Sequence, residues 1–103
     1  MSHPQWQQSC GEKVCLLGVI DRDSVPSLWQ FIQRWQATGV TMDISLEHVE
    51  RIDSAGMVML IHLIEHAKKQ NCHIMLSFVP EQLNTLIQLS NIKEFLAGHI
   101  QSI

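Results

Sequence analysis

The chain has 103 residues, a formal net charge of −3, 46% hydrophobic residues and 17% charged residues. That is enough apolar material for one globular core and too little length for two, so a single domain over residues 1–103 is expected and a disordered chain is excluded. Seven Lys+Arg stand against ten Asp+Glu, which leaves no basic footprint of the kind that phosphate backbones demand and excludes direct nucleic-acid binding.

The N-terminal stretch Met1 to Gln8 is polar, with no apolar core of a secretory leader. The three cysteines, Cys10, Cys15 and Cys72, are odd in number and lack a C-x-x-C spacing; they read as reduced thiols of a cytoplasmic protein. A short strand is expected around Gln5–Ser9, then a turn at Cys10-Gly11-Glu12. Lys13 to Ile20 (KVCLLGVI) is apolar and rich in β-branched residues, the pattern of a buried strand.

Asp21-Arg22-Asp23-Ser24 then supplies capping side chains, and Pro26 falls in a first helical turn, where its missing N–H costs nothing. Leu28, Phe31, Ile32 and Trp35 recur at i, i+3, i+4 and i+7, which predicts an amphipathic helix ending near Gly39. Val40 to Leu46 reads as a strand, and the polar Glu47 to Arg51 as a connector to Ile52-Asp53-Ser54-Ala55-Gly56. A helix follows to about Gln70. His73 to Val79 is a further strand, Pro80 opens a helix over Glu81 to about Leu89 with Leu83, Leu86 and Ile87 inward, and an apolar tail runs from Ile92 to Ile103. The order β-β-α-β-α-β-α predicts an α/β fold, a mixed sheet with helices packed on it. The longest apolar run, Met57 to Ile64, is interrupted by His62. It falls far short of the roughly 20 residues that cross a bilayer, so any membrane association runs through a partner.

The segment Asp53-Ser54-Ala55-Gly56 has a physical logic of its own. A helix start leaves backbone N–H groups unsatisfied and carries partial positive charge, and Asp53 or Ser54 can cap it. Small Ala55 and Gly56 would let another surface approach the backbone closely. At 100° per residue, Met57, Leu60, Ile61, Ile64 and Ala67 share the face expected to meet the sheet, and Ala55, Met59, His62 and His66 the opposite one. An exposed Met59 on that face suits a protein interface, although a solvated face with one stray apolar residue is the plain alternative. Asp21, ending its strand near this turn, either shapes the same surface or caps the helix that follows it.

Two enzymatic readings compete. His62-Leu63-Ile64-Glu65-His66 spells H-x-x-E-H, a zinc-peptidase pattern. A third ligand would have to come from the remaining chain, where Glu81 and Glu94 are the carboxylates that follow. Cys10, Cys15, Cys72 and His73 fit no zinc-module spacing. No G-x-x-x-x-G-K-[ST] loop exists to hold a nucleotide phosphate. A non-enzyme without metal or cofactor is the expectation.

Three segments, in order and spacing, resemble the STAS family (sulfate transporter and anti-sigma-factor antagonist domains). They are Leu17-Gly18-Val19-Ile20-Asp21, Met42-Asp43-Ile44-Ser45-Leu46 and Ile52-Asp53-Ser54-Ala55-Gly56. The resemblance covers essentially the whole chain and implies a STAS-like mixed sheet. Within the family, Leu60 to Gln70 is similar to the small cytoplasmic subunit of a bacterial ABC transporter that moves phospholipid for outer-membrane asymmetry. That likeness implies a non-catalytic protein that binds the ATPase subunit, sits at the inner membrane through it, and meets the permease only indirectly. The implied contact residues are Asp21, Asp53, Ser54, Ala55, Gly56, Met59, His62 and His66. The alternative within the family is an anti-sigma-factor antagonist. There the turn reads D-S-S-G and a kinase phosphorylates the second serine; Ala55 stands at that position here.

Overall fold

The computed structural model describes residues 3–10, 12–36 and 39–99. Along the chain run β1 (Trp6–Cys10), β2 (Lys13–Ile20), α1 (Val25–Arg34), β3 (Thr41–Ile52), α2 (Ser54–Lys69), β4 (His73–Ser77), α3 (Glu81–Leu89), α4 (Lys93–Leu96) and a 3-10 turn, Ala97–His99. The sheet order is β1-β2-β3-β4. β1 pairs antiparallel with β2, while β2/β3 and β3/β4 are parallel. Each parallel step is bridged by a helix, as parallel neighbours require. The expected mixed sheet and element order are those observed.

Strand alternation explains where the core lies. Val14, Leu16 and Ile20 of β2, Met42, Ile44 and Leu46 of β3, and Ile74 and Leu76 of β4 point to one face and are buried. Leu28 and Ile32 of α1, Leu60, Leu63 and Ile64 of α2, and Leu83 and Ile87 of α3 cover that face in one cluster. The other face carries half-exposed Cys15, Leu17, Asp43, Ser45 and Met75.

Four boundaries depart from the sequence expectation. The segment Glu47 to Arg51 is strand, not connector, because the ladder with β2 continues through Leu17↔His48, Gly18↔Val49, Val19↔Arg51 and Ile20↔Ile52. β4 stops pairing at Ser45↔Ser77, so this half of β3 keeps Glu47, His48, Glu50 and Arg51 in solvent. Charged side chains are well suited to such an edge. Second, α1 ends at Arg34 instead of near Gly39: Trp35 turns extended at ψ 140 and packs against Trp6; residues 37–38 lie outside the described residues. Third, β4 ends at Ser77, where Phe78 takes φ 54. Fourth, part of the expected tail is ordered as α4 and the 3-10 turn, anchored by buried Leu96 and by the His99 Nδ1 contact with the Ile74 carbonyl at 2.9 Å. Residues 100–103 lie outside the described residues, as does Gly11 of the first turn.

Among the described residues, Gly18 is the one glycine whose backbone needs left-handed freedom, at φ 76 beside a bulge between Gly18 and Val19. The Gln5 side-chain amide donates to the Leu17 and Val19 carbonyls there, at 3.1 and 2.8 Å.

Candidate partner-binding site

The end of β3 runs into α2 across a single residue. Asp53 is extended and its Oδ1 accepts from the Ala55 and Gly56 N–H groups at 2.9 and 3.1 Å. Its own N–H donates to the Ile20 carbonyl at 3.2 Å. Asp53 is therefore the helix cap that the sequence allowed, and it ties α2 to the end of β2.

Gly56 has a different role from the one expected. It is buried, and a Cβ there would stand 2.6 Å from Ile52 Cγ1 and 2.7 Å from the Ile20 carbonyl oxygen. Its smallness is consumed by the protein's own strand ends, not offered to a partner. The outward residues of this turn are exposed Ser54 and half-exposed Ala55.

Met59 is a second correction. It is 2% exposed and belongs to the core, as do Met57, Leu60, Leu63, Ile64 and Ala67. The apolar residue in solvent is Val58, 45% exposed, with Ile61 half-exposed beyond it. The buried stripe is rotated by about 60° from the one read off the sequence, since successive residues turn 100°. The signal was present: Glu65, Lys68 and Lys69 mark the outer face at 100° steps, and Val58 lies among them, whereas Leu63 pulls the inner face toward Met59.

The rest of the expected site divides in two. Asp21 sits beside the turn. Its Oδ1 accepts from the Asp23 and Ser24 N–H groups at 3.0 and 3.1 Å, and Arg51 Nη2 lies 3.9 Å from its Oδ2. The Ser24 N–H above all holds the Asp21 carboxyl below its usual range; burial, the next effect in size, opposes it, and the Asp23 N–H and Arg51 add to the lowering. It is thus a turn-former before α1, and its position leaves it at the rim of the α2 start. His62 and His66 lie further along α2, around an open cavity of about 270 Å³ with Trp29, Gln33, Glu65 and Lys69. His62 Nδ1 is 3.9 Å from Glu65 Oε1, and His66 Nε2 lies 3.3 Å from the Trp35 carbonyl and 3.0 Å from Gln70 Nε2. Those contacts tie His66 to the end of α1, and among the described residues no group of three His, Cys, Asp or Glu is arranged to hold a metal. Cys72 is 4% exposed and burial raises its thiol pKa, the behaviour of a small core hydrophobe. Cys15 is half-exposed on the other sheet face; the side chain of Cys10 lies outside the described residues.

The family model described as "Mlab, STAS domain" matches residues 5–98. The chain belongs to the MlaB-type STAS family. The intermembrane phospholipid transport system binding protein MlaB of Escherichia coli (strain K12) is 36% identical over 87 residues, 84% of this chain and 87% of that protein. In fold, this MlaB-type STAS domain is similar to a putative anti-sigma factor antagonist from Thermotoga maritima, with TM-score 0.72 and 13% identity over 95% of this chain and 85% of that one. It is also similar to a sulfate transporter family protein from Wolinella succinogenes, with TM-score 0.69 and 20% identity over 91% and 79% of the two chains. No helix among the described residues is long and apolar enough to cross a membrane.

Proposed function

We propose that this chain is a non-catalytic subunit of an ABC transporter that moves phospholipids for outer-membrane lipid asymmetry, and that it binds the transporter's ATPase subunit through the outward face of the α2 start. On this reading it is one domain, held in the cytoplasm at the inner membrane through its partner, and it touches the permease only indirectly. The observation that carries the reading is the outward line of exposed Ser54, half-exposed Ala55 and exposed Val58. These residues stand on a helix start that Asp53 and Gly56 lock against two strand ends. A rigid base with small residues and one apolar side chain in solvent is what a protein partner can seat on at little ordering cost. The similarity to the E. coli intermembrane phospholipid transport system binding protein supports the transporter over a sigma-factor partner. So does Ala55, which offers no hydroxyl at the position of the antagonists' phosphorylated serine.

Co-purification with the ATPase and permease subunits tests this. Ala55→Arg and Val58→Asp each set a charge against a contact built for small or apolar groups, at roughly 2–5 kcal/mol when buried. At about 1.4 kcal/mol per decade, affinity should fall by one to several powers of ten, with the isolated chain melting nearly as before. Undiminished capture of the ATPase by both variants would place the docking surface elsewhere; capture of a kinase and sigma regulator instead would favour the antagonist reading.

A further inference from the structure

Charge is not spread evenly around the α2 start. Asp21 and exposed Asp23 border it on the α1 side. On the opposite side, the Ile52 N–H donates to Gln82 Oε1 at 3.0 Å, which brings in the first turn of α3 and exposed Glu81. Glu50 is exposed near the end of β3. The cations of this end are Arg22 and Arg51, and Arg51 already reaches toward Asp21. The topology sends three of the four lysines the other way: Lys13 opens β2, and Lys68 and Lys69 close α2, which runs back to where β4 begins. The chain thus has a carboxylate-rich pole at the strand ends and a lysine-bearing pole at the strand starts.

We infer that the docking face of α2 takes a basic protein surface, one that seats an apolar group on Val58 and ranges Lys or Arg side chains around Asp23, Glu50 and Glu81. This rests on the reading of α2 as the docking helix and adds the partner's chemistry to it. Asp23, Glu50 and Glu81 are all exposed to solvent, so none of them is buried under the docking face. They therefore act mainly on the approach of the partner, where complementary fields raise the association rate, and less on the lifetime of the complex. The same pole disfavours self-pairing through this face, because two copies would bring their carboxylates together.

The test is the association rate of the full chain with the ATPase subunit of the same transporter, as a function of salt. The variant Asp23→Asn/Glu50→Gln/Glu81→Gln should associate about tenfold more slowly at low ionic strength, with its rate converging on wild type at about 0.5 M salt. Its dissociation rate should change far less. Lys13→Gln, at the other pole, should not slow association. Circular dichroism establishes that the triple variant is folded. A triple variant that associates within twofold of wild type at all salt concentrations, or faster than it, would overturn the inference while leaving the docking helix intact. Failure of wild type to capture any ATPase would overturn the docking reading itself. Self-association abolished by Val58→Asp would overturn both.

Discussion

The dipeptide Ile-Asp ends two strands of this protein, and the two junctions part ways after it. Asp21 and Asp53 use their carboxylates identically, each Oδ1 accepting from the N–H groups two and three residues on. What differs is the residue at the third position. After Asp53 it is Gly56, and the helix begins at once, pressed against the Ile20 carbonyl. After Asp21 it is Ser24, whose hydroxyl turns back to the Val19 carbonyl at 2.9 Å, and the helix waits until Val25. One junction is tight and presents its helix outward; the other spends its polar groups on itself. A shared aspartate turn therefore does not define a site, and the close approach that follows it sets how firmly the outward residues are held.

The comparison breaks most severely if α2 is not the anchored helix. α2 buries Met59 among seven residues, whereas α1 buries Leu28 and Ile32. Met59→Asp would put an unpaired carboxylate into that contact, at a cost of about 3–5 kcal/mol. A domain of this size has only about 5–15 kcal/mol in total. Urea melts should show a chain largely unfolded or close to it, whereas Val58→Asp one residue earlier should shift the midpoint little. Equal destabilisation by the two would mean that the helix is rotated from the orientation described.

Gly56→Ala sharpens the comparison at the junction itself. The added methyl has no free space between Ile52 and the Ile20 carbonyl, and overpacking of this kind costs about 1–3 kcal/mol. At the matching position of the other junction, Ser24→Ala removes no space but takes away the hydroxyl that donates to the Val19 carbonyl and accepts from the Asp21 N–H at 3.0 Å, at about 1 kcal/mol in this half-exposed turn that water can reach. Chemical denaturation of both variants should rank them in that order; a Gly56→Ala protein as stable as wild type would show that α2 can slide off the strand ends without penalty.

Much of this was legible in the residues. The β2 boundaries, the start of α2 and the span of α3 follow from apolar runs, an Asp cap and a proline, signals that are local in sequence. The misread parts depend on neighbours that no local pattern records. Glu47 to Arg51 is strand because β2 lies beside it, and its charged side chains look out over an edge that β4 does not cover. Gly56 looked like room for a partner because nothing in the sequence says that Ile20 and Ile52 meet there. The face of α2 was misjudged because the helix is apolar on most of its circumference, and with few polar markers a rotation of about 60° exchanges Met59 for Val58.

The smallest effect expected concerns the self-contained junction and its dependence on pH. The Asp21 carboxyl is held below its ordinary value, first by the Ser24 N–H. The folded chain thus favours the ionised form over the unfolded chain, where an aspartate titrates near about 3.9. A lowered folded-state pKa gives stability that is fully present above the unfolded value and is lost as pH falls through the folded one. Asn at this position keeps a carbonyl oxygen for the same two N–H groups but has no charge to lose. Wild type should therefore melt slightly above Asp21→Asn from about pH 5 to 8, and the gap should close as pH drops below about 4. Added salt should narrow it as well, because Arg51 at 3.9 Å contributes through solvent. Thermal melts of the two proteins across that range decide the point. A gap that persists unchanged at pH 2.5 would mean that Asp21 works through geometry alone, and that its charge adds nothing to the turn.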